Sequence, residues 1–89
     1  MSDFSLKLES RKLHIAMATE LKLMRDARGF TMRDLATTLE QPHSLVSKIE
    51  QQGRRIDVGE FIHYCRALGF DPATKLKAIL EKSNISKLP

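Results

Sequence analysis

The chain has one cysteine, Cys65, in 89 residues. That excludes an internal disulfide and a multi-cysteine zinc site. A lone thiol suits a reducing compartment, so a cytoplasmic location is expected. Long apolar runs are also missing. No stretch approaches the ~18 residues of a membrane span, so no membrane partner is expected. The opening MSDFSLKLES lacks a basic start followed by an apolar block, and does not read as a secretory signal. The length fits one small domain and leaves little room for a deep catalytic cleft. His, Cys and carboxylate residues show no metal-ligand spacing, and no cofactor is expected. His43 and Ser47 stand four apart, but no carboxylate orients the histidine and no oxyanion donors accompany it. The chain is therefore not expected to be an enzyme.

What remains is a globular balance, 42% hydrophobic and 29% charged, rather than a disordered one. The net charge of +4 is unevenly placed. Residues 1–40 and 56–89 each carry a net +1. Residues 41–55 carry Lys48, Arg54 and Arg55 against Glu50 alone. A basic window of this kind is compatible with a polyanion partner without requiring one.

The punctuation predicts short helices. Leu13, Met17, Leu21 and Met24 share one face of a first helix starting near Ser10. Gly29 suits its C-terminus, because glycine takes positive φ without a Cβ clash. Thr31 offers an N-cap, with Asp34 three residues on and Leu35, Ala36 and Leu39 as the apolar stripe. Gln41-Pro42 opens a third helix, with proline at its first helical position and Leu45, Val46 and Ile49 inward. Asp57 and Glu60 read as a capping box before Phe61, Ile62, Cys65 and Leu68, which Gly69 terminates. Asp71-Pro72 starts a fifth helix with Leu76, Ile79 and Leu80. Upstream, Phe4, Leu6 and Leu8 alternate with Ser5, Lys7 and Glu9. That alternation predicts either a short strand pairing with a second subunit, or a frayed tail or extension of the first helix. The chain thus divides into an N-terminal arm (1–9), a helical domain (10–83) and a loose tail (84–89).

The informative stretch is TMRDLATTLEQPHSLVSKIEQQGRR, residues 31–55. A helix of about eight residues, a short break and a second short helix is helix-turn-helix spacing. The second helix is polar on one side, where His43, Ser44, Ser47 and Lys48 lie opposite Val46 and Ile49. Small and flexible polar groups permit close approach to base edges in a major groove, and Lys48, Arg54 and Arg55 can neutralise phosphates.

Together, LKLMRDARGFTMRDLATTL, PHSLVSKIEQQGRR and EFIHYCRALGFDP resemble the phage-repressor-like (Cro, Xre) helix-turn-helix family over about residues 17–80. The resemblance implies an all-α, five-helix lambda-repressor-like domain, with or without a short N-terminal strand. It also implies a dimeric, sequence-specific transcriptional regulator, most often a repressor, of double-stranded DNA. The recognition helix would map to about Pro42–Gln51. His43, Ser44, Ser47 and Lys48 would contact bases, and Arg33, Gln41, Arg54 and Arg55 phosphates. Arg25 and Glu50 would form a structural ion pair, since charges facing a core must be paired. Dimerisation would use the N-terminal arm or helix five. Two positions depart from the family pattern. Met32 stands where glutamine often contacts phosphate, and Glu40 where the turn is often glycine. The same fold serving as a protein-interaction module, for example in antitoxin-type partner binding, is the alternative. Lys48, Arg54 and Arg55 would then be a solvated face.

Overall fold

The computed structural model describes residues 3–83, with side chains from residue 6 onward. Five helices account for most of it: α1 Asp3–Ala27, α2 Met32–Leu39, α3 His43–Glu50, α4 Val58–Ala67 and α5 Pro72–Ser83. The described residues contain no strand, so the architecture is all-α. Of the alternatives open for the N-terminal segment, the extension of the first helix is the one seen and the strand is not: α1 begins at Asp3 and runs through residue 10 without a break. The physical reason is visible in the spacing. Leu6, Ser10, Leu13 and Met17 also fall at helical intervals of 4, 3 and 4. Extending an existing helix adds a hydrogen bond per residue, whereas a single strand has none to make. Residues 84–89, expected as a loose tail, lie outside the described residues.

The core forms where the apolar stripes of all five helices meet. Leu21 and Met24 of α1, Leu35 and Ala36 of α2, Val46 and Ile49 of α3, Phe61, Tyr64 and Cys65 of α4, and Ile79 of α5 are buried in one cluster. Ile62 and Leu80 are only half-buried, and Leu76 is exposed. Met32 packs its side chain against this cluster.

Helix ends decide how α2 and α3 are set against the rest. Thr31 caps α2: its hydroxyl accepts from the Asp34 amide at 3.0 Å, and Asp34 accepts from the Thr31 amide at 2.9 Å. Asp57 and Glu60 make the same reciprocal pair at the start of α4. Pro42 is the N-cap of α3, with φ −62° and ψ 144°, so helical geometry begins one residue later than the proline was expected to start it. Asp71 accepts from the amide and hydroxyl of Thr74, and Pro72 opens α5.

Four helices close through one hydrogen-bond pattern, in which a residue in left-handed conformation is followed by an amide that reaches back five residues. The left-handed positions are Gly29, Glu40, Gln52 and Gly69, with φ of 68°, 56°, 65° and 78°. The returning amides are Phe30 to Arg25, Gln41 to Ala36, Gly53 to Lys48 and Phe70 to Cys65. Arg28 then ties α1 to the end of α4. It donates to the Leu68 carbonyl at 2.7 Å and lies 4.3 Å from the Phe70 ring centroid.

Candidate nucleic-acid interface

α2, the left-handed turn at Glu40 and α3 form the helix-turn-helix. α3 is divided sharply between its two sides. Val46 and Ile49 are buried and Leu45 half-buried, so its inner side is committed to the core. His43, Ser44 and Lys48 are exposed and Ser47 half-buried. Gln51, the C-cap, is exposed as well. Ser44, Ser47, Lys48 and Gln51 stand at i, i+3, i+4 and i+7, one continuous stripe. Gln51 is not among the residues that the family resemblance marks for contact. Its spacing of seven from Ser44 was the available signal.

The orientation of this stripe is held by Glu50. Arg25 Nε donates to Glu50 Oε2 at 2.7 Å, and Arg25 Nη2 donates to Oε1 at 2.9 Å. Arg25 Nη1 donates to the Phe30 carbonyl at 2.7 Å. Tyr64 adds a third donor, its hydroxyl 2.8 Å from Glu50 Oε2. The Glu50 side chain is 2% exposed, so these donors replace water almost completely. The hydrogen bond to Glu50 holds the Arg25 guanidinium firmly charged, against the opposing effect of burial. Burial, followed by the charge of Glu50, pushes the Tyr64 phenol well up, so it stays a donor. No local spacing in the sequence marks Tyr64, since it stands fourteen residues from Glu50.

The expected phosphate contacts are scattered around α3. Arg33 is exposed in the first turn of α2, and Gln41 is exposed in the turn before α3. Arg55 is exposed in the loop after α3. Arg54 is exposed but committed. Its two terminal nitrogens donate to the two Glu60 oxygens, each at 2.9 Å. The same contact holds the Glu60 carboxyl below its ordinary range. Two of the four basic-window charges, Glu50 and Arg54, are therefore already paired within the fold. Among the described residues, the Lys48 and Arg55 side chains have no hydrogen-bond or ion-pair partner.

Among the described residues no His, Cys, Asp and Glu cluster could hold a metal ion. No described helix is long and apolar enough to cross a membrane.

A short helix with one polar, exposed side, joined through a left-handed turn to a second helix and locked at its end by an internal ion pair, makes this a helix-turn-helix protein, a class of DNA-binding transcription regulators rather than of enzymes. The chain belongs to this family: the model of the helix-turn-helix domain matches residues 16–76. It is similar to an XRE-family like protein from Pseudomonas syringae pv. tomato str. DC3000, at 34% identity and a TM-score of 0.80, over 91% of this chain and 98% of that one. The fold is also that of the clp gene regulator ClgR from Corynebacterium glutamicum, at 23% identity and a TM-score of 0.73, over 84% of this chain and 80% of that one. No curated protein sequence matches the chain significantly.

Proposed function

We propose that the chain acts as a homodimeric repressor in the cytoplasm, reading a two-fold symmetric operator through α3. His43, Ser44, Ser47 and Lys48 meet base edges in the major groove, joined by Gln51 at the end of the stripe. Arg33, Gln41, Arg54 and Arg55 meet phosphates on either side, with Arg54 contributing least because Glu60 neutralises it. Two copies would set their α3 helices about 34 Å apart, one duplex turn. The half-buried to exposed side of α5, with Leu76 44% exposed beside Val58 at 76%, supports a dimer formed across α5. Occupying a promoter then blocks transcription by exclusion.

The observation that carries this reading is the exposed polar stripe of α3 on a helix whose other side packs into the core through Val46 and Ile49. Side chains as short as serine leave the backbone close enough to enter a groove.

Duplex binding measured between 50 and 200 mM salt tests it. Affinity should fall steeply as salt rises, with a log–log slope of about −0.9 per phosphate neutralised. Arg55→Ala should make the slope shallower by about one phosphate and leave sequence preference intact. Ser44→Ala should change preference with little effect on the slope. A chain that fails to bind duplex, or binds with a flat salt response, overturns the proposal in favour of a protein-interaction role. Sedimentation of Leu76→Glu should show monomers if α5 carries the dimer.

A further inference from the structure

A cleft of about 170 Å³ opens between the N-terminal half of α1 and the loop that follows α3. Its floor is apolar, with Met17, Ala18, Leu21, Ile49 and Ile56. Its polar rim comes from Arg11 and His14 of α1 and from Gln52, Arg54 and Arg55, and none of the lining residues is acidic. The rim charges are not equivalent. Arg54 is paired with Glu60 of α4. The guanidinium groups of Arg11 and Arg55 have no hydrogen-bond or ion-pair partner among the described residues. His14 is half-buried on the same rim.

Two guanidinium groups without an internal partner therefore line one cleft over an apolar floor, with no acidic side chain there to balance them. The group that relieves this is an anion with several acceptor oxygens, because guanidinium donors match phosphate in a fork. A neutral imidazole can add one further N–H. Position then narrows the source. Ile49 and Gln52, from the last turn of α3 and its exit, line the same cleft as Arg55. An occupant therefore sits directly beside the recognition helix, on the α1 side.

We propose that this cleft is a phosphate site, filled by a backbone phosphate of the duplex next to the half-site read by α3, with Arg11 and His14 as its α1 ligands. The proposal rests on the DNA-binding reading above, and extends the footprint beyond the helix-turn-helix onto α1. The His14 imidazole is held below its ordinary value first by burial and then by the charge of Arg55. The charged groups that line the cleft with it are Arg11 on its own helix and Arg54 and Arg55 of the loop, of which Arg54 is paired with Glu60. A phosphate entering among them favours the protonated imidazole, so binding should raise the His14 pKa, and affinity should rise as pH falls through that raised value.

The test uses the full chain and a duplex obtained by selection. The exposed Arg11 is replaced by Ala, with Lys48→Ala as the comparison. Arg11→Ala should weaken binding several-fold and reduce the log–log salt slope by about 0.9, with an unchanged consensus. The NMR titration of His14 should move upward when duplex is added. If Arg11→Ala keeps the parent's affinity and slope and His14 does not move, while Lys48→Ala weakens binding, DNA reading stands and the cleft is not a phosphate site. If the parent chain binds no duplex, inorganic phosphate becomes the probe. An upward His14 shift abolished by Arg11→Ala retains the site with a free phosphate as its occupant, and no shift overturns it.

Discussion

Glu50 carries more of the molecule's organisation than any other charged residue. It accepts from Arg25 and Tyr64 with almost no contact to water. Arg25→Ala leaves a buried carboxylate short of its cation, and should cost about 3–5 kcal/mol in chemical denaturation. Tyr64→Phe removes one hydrogen bond to a charged group and should cost about 1.5–3 kcal/mol. Measured together in a double-substitution cycle, the two should not add, because they share one acceptor. The pairing of Arg25 with Glu50 was accessible to sequence reasoning only through the family resemblance. Twenty-five residues of separation carry no local signal. Cys65 is the opposite case. It lies on the inner face of α4 with no exposure, and burial pushes its thiol up to about 11. A thiolate is the reactive form, so an aromatic disulfide reagent should leave the native chain unmodified at neutral pH and react fully once it is unfolded.

At the scale of elements, the helix boundaries rest on caps and on left-handed turns. Thr31, Asp57 and Asp71 were legible as caps because their side chains act within three residues. Gly29 and Gly69 were legible as stops for a similar local reason. The turn at Glu40 was legible only through the family resemblance, which often places glycine there, and the turn at Gln52 carried no signal. Both have positive φ, Glu40 in the turn before α3 and Gln52 in the turn after it. Such conformations are strained by roughly 1–2 kcal/mol for an L-residue with a Cβ. Glu40→Gly should therefore stabilise the chain, by on the order of 1 kcal/mol at most once glycine's extra unfolded-state freedom is counted. Gly29→Ala should destabilise it by about 1 kcal/mol, through backbone strain alone, since an added Cβ meets nothing within 4 Å. Urea midpoints of the two variants check both signs. The N-terminal arm was ambiguous because its period of two overlaps a helical spacing, and the adjoining helix resolved it.

The whole molecule is held by long-range charge pairs as well as by its core. Glu20, 5% exposed at its side chain, accepts from Lys75 at 3.4 Å and from Lys82 of α5. Burial pushes its carboxyl up, but the hydrogen bonds and charges of Lys82 and Lys75 outweigh this and hold it below its ordinary value of 4.5. Glu60 and the capping carboxylates Asp34 and Asp71 are lowered too. The unfolded chain then binds more protons than the folded one in acid. Stability is fully present above the unfolded carboxylate values and is lost as pH falls below about 4.5 through the folded ones. Thermal unfolding from pH 7 to pH 3 should show this loss, and Glu20→Gln should flatten part of it. The five-helix architecture was legible because each stripe and cap is local. The cleft beside α1 was not, since Arg11, His14 and Arg55 meet only once α1 lies across the loop after α3.

Selection of binding sites from random duplexes, repeated with Ser44→Ala, tests the role of α3 most directly. The account predicts a two-fold symmetric consensus with half-sites about one duplex turn apart, and a change of preferred bases within each half-site on replacing Ser44. A failure to enrich any sequence, or an enriched sequence indifferent to every substitution on the exposed side of α3, would contradict it.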